Sequence, residues 1–88
     1  MRILGIHYDD DFKKQFLDLP EIVKKMACRK EALFRENPLH PSLRLHKLRG
    51  KLYGFWSISI DMKYRIVFEV LDDGAVLFVS IGTHAIYE

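Results

Sequence analysis

The side chains in this chain best suited to chemistry are its cations and imidazoles, and they are unevenly placed. Residues 40–65 hold six Lys/Arg (Arg44, Lys47, Arg49, Lys51, Lys63 and Arg65) against Asp61 alone, with His40 and His46 in the same stretch. Residues 1–39 carry eight Lys/Arg and seven Asp/Glu, and residues 66–88 carry four acids and no Lys/Arg. A net charge of +2 therefore conceals a local excess of five positive charges in the middle third. Clustered cations attract phosphate backbones, and the competing reading is a solvated basic face. On the first reading Arg44, Lys47, Arg49, Lys51 and Lys63 are candidate nucleic-acid contacts.

Other chemistries find less support. The four histidines, His7, His40, His46 and His84, include no pair at compact ligand spacing such as H-x-x-x-H, so no metal is expected. Cys28 is the only cysteine, which excludes an intrachain disulfide and a multi-cysteine metal site. It falls within an expected helix with no base signature beside it, and is read as inert. No cofactor motif is present.

The elements that must position these groups follow from periodicity. Residues 2–8 read as a short strand. Asp9, Asp10 and Asp11 supply a cap and favourable charge for a helix over 10–18, with Phe12, Phe16 and Leu19 on one stripe. Pro20 suits the first turn of a second helix. Ile22, Met26 and Leu33, with Val23 and Ala27 beside them, carry that helix to about Glu36, where Asn37-Pro38 stops it. The period then changes to two. Leu43 and Leu45 alternate with Arg44 and His46, and Trp56, Ile58 and Ile60 alternate with Ser57, Ser59 and Asp61. Tyr64, Ile66, Phe68 and Val70 form a third alternating run. Asp72-Asp73-Gly74 is a hairpin signal, and Ala75–Ile81 is apolar but for Ser80, as in a strand buried on both faces. The expected order is β-α-α-β-β-β-β, an α+β fold with a helix hairpin packed on a mainly antiparallel sheet. Its other face is expected to gather Arg44, His46, Ser57, Ser59, Asp61 and Arg65 into a polar concave surface.

Eighty-eight residues, 49% hydrophobic, suit one domain over 1–88 with a real core rather than disorder. The apolar run near the start is too short for a signal peptide, and no stretch reaches the roughly 18 apolar residues of a membrane span. A cytoplasmic location is expected.

This order, with the phrases LHKLRG, FWSISIDMKYRIVFEV and VSIGTHAIYE, resembles the RelE/ParE superfamily of toxins from toxin–antitoxin systems. The carrying residues are Asn37-Pro38 after the hairpin, Lys47-Leu48-Arg49-Gly50, Trp56, Tyr64-Arg65, and Gly82-Thr83-His84 with Tyr87. The resemblance covers nearly the whole chain; its specificity lies in order and spacing rather than in any one motif. It implies a cognate antitoxin as partner. For many members it also implies ribosome-dependent cleavage of mRNA, without metal, by attack of a 2′-hydroxyl on its own phosphate. Such a reaction needs a base for the 2′ proton, cations for the phosphate and an acid for the leaving 5′ oxygen. Histidine suits the proton transfers.

Position by position, Arg65 matches the family's phosphate-facing arginine. His84 stands where one branch has a catalytic arginine and the YafQ-like branch a histidine. His46 aligns with an upstream histidine of the YafQ-like branch, and Tyr87 resembles the C-terminal aromatic that contacts substrate. Ser57 and Ser59 depart from this pattern, falling where the RelE branch carries two lysines. Ser59 also replaces a second histidine of the YafQ-like branch, and Lys63 falls near that branch's acidic site. Three readings stay open: a ribonuclease, a ParE-like poison of DNA gyrase that would leave His46 and His84 without chemical duty, and a silent member that only binds antitoxin.

Overall fold

The acidic triplet does start a helix. In the computed structural model, which describes residues 2–87 apart from the side chains of His84 and Tyr87, Asp9 is extended and its carboxylate accepts from the Asp11 N–H at 3.1 Å. Asp10 and Asp11 then place negative charge at the positive end of α1 (Asp10–Leu17). After a turn of three residues, Pro20 caps α2 (Glu21–Glu36), one position earlier than expected. Asn37 leaves helical geometry at φ −150°, and its side chain accepts from the Leu39 N–H at 3.3 Å. The helix hairpin is thus set by local chemistry at each end.

The strands are β1 (Ile6–Tyr8), β2 (His46–Lys47), β3 (Trp56–Ser59), β4 (Arg65–Val70) and β5 (Val76–Gly82), in the spatial order β1-β5-β4-β3-β2. The last four form the expected antiparallel meander, while β1 pairs parallel to β5. Alternation directs Trp56, Ile58, Ile66, Phe68, Phe78 and Ile81 to the helix side. There Phe34 of α2 meets Phe68 and Phe78 at ring-centroid distances of 5.0 and 5.9 Å, and these three rings are fully buried. β5 is less regular than its apolar run suggests. The register shifts between Val67 and Phe68, which face Ser80 and Phe78, so Val79 is an extra residue opposite neither.

One element differs in kind. The alternation from Leu43 to His46 is not a strand. Pro41–Leu43 is a 3-10 turn, Arg44 is left-handed at φ 48°, and extended pairing begins only at His46. His40 makes the turn: its Nδ1 accepts from the Ser42 N–H at 3.2 Å. Leu43 is driven inward by this turn and is fully buried, so its apolarity reflects a tight turn rather than a pleat.

A cleft of about 350 Å³ opens between hairpin and sheet, lined by Phe12, Phe16, Ala27, Cys28, Ile66 and Phe78 among others. Tyr8 also lines it, and its hydroxyl donates to Glu31 of α2. Burial and the Glu31 carboxylate hold the Tyr8 phenol above its ordinary pKa, so it stays a donor. No helix among the described residues is long and apolar enough to cross a membrane.

Candidate functional site

Register decides which of the expected site residues share a face. His46 lies opposite Ser57, Ser57 opposite Val67, and Val67 opposite Ser80; one row along, Ser59 faces Arg65 and Arg65 faces Gly82. Directly opposed residues point to the same side, so His46, Ser57, Ser59 and Arg65 do share the face away from the helices. The two serines do not make it an open polar surface. Ser57 is 0% exposed and Ser59 6%, so the polar groups this face presents are His46 and Arg65, with the half-buried Glu69 and Ser80 further along it. Their Cα atoms are roughly 12 Å apart by strand spacing and rise.

Arg65 is held by backbone. Its Nη1 donates to the Asp61 carbonyl at 2.6 Å and to the Tyr64 carbonyl at 3.1 Å. Asp61 shapes those carbonyls: its Oδ1 accepts from the Lys63 and Tyr64 N–H groups at 2.8 and 2.7 Å, tightening the β3–β4 turn. Neither Asp61 nor Glu69 forms an ion pair with Arg65 among the described residues. A guanidinium has five donors, and the two carbonyls occupy Nη1. Nε and Nη2 of this half-buried, oriented cation bond no other group among the described residues.

His46 is oriented as well. Its Nδ1 lies 3.0 Å from the Arg44 carbonyl. A carbonyl can only accept, so this bond requires Nδ1–H and leaves Nε2 as the outward nitrogen. The left-handed turn at Arg44 brings that carbonyl into place. His84 and Tyr87 belong to the 3-10 turn His84–Tyr87, directly after β5. The roles expected of their side chains lie outside the described residues. Backbone register still places His84 two residues beyond Gly82, the partner of Arg65. Gly82 permits this fold-back, because a Cβ there would stand 2.7 Å from Cγ2 of Ile86.

The expected backbone contacts divide. Arg44 and Lys63 are exposed in the turns flanking the His46–Arg65 face. Lys47 points the other way, with its ammonium 5.2 Å from the centroid of the Trp56 ring. Arg49 and Lys51 belong to the following loop, whose 3-10 turn spans Gly50–Leu52. Beside that loop lies a second pocket of about 220 Å³, lined by Lys47, Leu48, Tyr53, Gly54, Phe55 and Trp56. Tyr53 escaped the sequence reasoning. The available signal was an aromatic residue directly between two glycine turns in a basic loop. No three His, Cys, Asp or Glu side chains among the described residues are grouped as metal ligands.

Known proteins share this fold. The crystal structure of YafQ from E. coli strain BL21(DE3) superposes with a TM-score of 0.77 at 21% identity, covering 99% of this chain and 98% of that one. A YoeB/ParE toxin from Agrobacterium tumefaciens gives 0.75 at 13% identity, over 92% of this chain and 99% of the other. The toxin–antitoxin complex RelBE of E. coli gives 0.68 at 25% identity, over 90% and 94%. No curated protein matches the sequence. A family model does: ParE toxin of type II toxin–antitoxin system, parDE, over residues 6–86. That match takes in both helices and all five strands, and the chain therefore belongs to the ParE toxin family of type II toxin–antitoxin systems, within the RelE/ParE superfamily.

Proposed function

We propose that this toxin is a metal-independent endoribonuclease that binds mRNA, on the ribosome, across the His46–Arg65 face, and that a cognate antitoxin restrains it in the cytoplasm. The observation that carries the reading is Arg65: a half-buried guanidinium fixed by two backbone carbonyls, with its other edge directed to no protein group among those described. Arginine in such a setting binds a phosphate in a defined orientation. In the reaction, an RNA 2′-oxygen attacks the adjacent phosphorus and the bond to the 5′ oxygen breaks. The products are a 2′,3′-cyclic phosphate and a 5′-hydroxyl. Arg65 stabilises the charge gathered on the phosphoryl oxygens. The Nε2 of His46 is available to take the 2′ proton. His84 is assigned the protonation of the leaving oxygen, with Tyr87 contacting the neighbouring nucleotide. Arg44, Lys63, Arg49, Lys51 and Lys47 supply sequence-independent attraction to the backbone.

The decisive test uses RNA with a single 2′-deoxy position at the cut site. Cleavage should vanish while binding persists. His84→Ala should lose roughly 10²-fold or more in rate, the scale of general acid–base catalysis. Arg65→Ala should lose about 10²–10³-fold through lost charge stabilisation. A second reading has its own support, since the matching family model is that of ParE toxins. On that reading the chain poisons DNA gyrase without cutting RNA. Full toxicity of a folded His84→Ala/Arg65→Ala double variant that cuts no RNA would favour it, whereas cleavage of the deoxy substrate would rule out attack by the 2′-hydroxyl.

A further inference from the structure

The loop between β2 and β3 is built around an aromatic side chain that the fold does not use. Tyr53 is 84% exposed. Its backbone is nonetheless well held: the Tyr53 N–H donates to the Gly50 carbonyl at 3.1 Å, and the Phe55 N–H to the Leu52 carbonyl at 3.0 Å. Leu48 and Phe55 close the loop with a backbone bond of 2.9 Å. Gly50 and Gly54 take positive φ, 65° and 97°, and so turn the chain on either side of the tyrosine. The ring is thus presented from an ordered loop rather than from a loose one.

Its surroundings are cationic. No acidic residue occurs between Glu36 and Asp61, while Arg44, Lys47, Arg49 and Lys51 all fall in that interval. The adjoining pocket of about 220 Å³ is walled by Tyr53 and Trp56 with Lys47 at the Trp56 face. It is smaller than the roughly 300–1,000 Å³ typical of drug-sized ligands, so it suits a fragment such as one planar base. A positively charged track combined with an aromatic platform is the way proteins hold single-stranded nucleic acid without reading its sequence. The pocket begins at Lys47, the neighbour of His46 on the edge strand β2. A strand of RNA leaving the His46–Arg65 face across that edge meets it next.

We infer that Tyr53 and its pocket form a nucleobase-stacking site, which holds one base of the single-stranded RNA just outside the cleavage face while Arg49 and Lys51 contact the flanking phosphates. The inference rests on the RNA-binding reading above. The purified full chain is titrated with a short single-stranded RNA and with an oligomer of equal length and charge made of abasic riboses. Trp56 is the sole tryptophan, so emission excited selectively at tryptophan, and not at the tyrosines, reports from this pocket. The parent should bind the base-bearing RNA roughly tenfold or more tightly than the abasic one, the scale of one stacked base. It should also change its emission only with the former. Tyr53→Ala should erase that preference and leave the salt dependence unaltered; Tyr53→Phe should keep the preference. An undiminished base preference in Tyr53→Ala would overturn the stacking site and leave RNA binding standing. Parent protein that binds neither oligomer would remove the RNA reading and the stacking site together. Should Tyr53→Ala weaken only a protein complex, the tyrosine belongs to a protein interface and the inference fails.

Discussion

Single residues here act through the backbone as much as through their own side chains. Asp61 makes no ion pair with Arg65; it shapes the turn whose carbonyls orient the guanidinium. Asp61→Ala should therefore lower cleavage by about ten- to 100-fold through misplacement of Arg65. It should also cost about 1–2 kcal/mol in urea denaturation through two lost hydrogen bonds. Asp61→Asn keeps an acceptor oxygen and should restore most of both; an asparagine variant as inactive as the alanine one would instead give the Asp61 charge the role. The side of the sheet that Arg65 takes was legible in the sequence, because Tyr64-Arg65 opens an alternating run. The partner of Lys47 was not. Its pairing with Trp56 depends on a two-residue edge strand whose register emerges only when β2 and β3 meet.

Elements were readable where the chain announces its own ends. The acids before α1, Pro20 before α2 and Asn37-Pro38 after it act on their immediate neighbours, and the hairpin falls within a residue or two of expectation. The segment from Leu43 to Leu45 was misread because a 3-10 turn followed by one left-handed residue buries alternate side chains much as a strand does. The concave face was half legible: alternation gives the side of the sheet, but not that Ser57 and Ser59 are covered. The C-terminal 3-10 turn allows a test at this scale. Gly82→Ala introduces a methyl 2.7 Å from the Ile86 side chain. The expected result is displacement of the turn bearing His84, with cleavage reduced at least about tenfold. Thermal stability should change little, because the backbone at Gly82 carries no positive φ. Parental activity in Gly82→Ala would show that the turn's position is not part of the site.

At the scale of the molecule, β1 and α2 are joined by the Tyr8–Glu31 hydrogen bond at the rim of the apolar cleft. The Tyr8 pKa is raised in the folded chain, by burial first and then by Glu31. Folding is therefore favoured by this group at pH values below the ordinary phenol pKa. That contribution is lost as pH climbs through the raised folded value. Melting temperature followed between about pH 8 and 11 should fall at the alkaline end in the parent and fall less steeply in Tyr8→Phe. Parallel curves would assign the alkaline loss to other groups.

The placement of β5 also governs timing during synthesis. This strand is the latest of the five in sequence, yet it lies between β1 and β4. Until residues 76–82 have been polymerised and released from the exit tunnel, β1 has no neighbour and Phe34 and Phe68 lack their third ring. Translation advances at about 5–20 residues per second, so the nascent chain passes some seconds with its helix hairpin made and its apolar face uncovered. A chain interrupted before β5 also lacks the strand that faces Arg65 and leads into the His84 turn. The parallel pairing of β1 with β5 thus withholds the assembled sheet until residues 76–82 have been made.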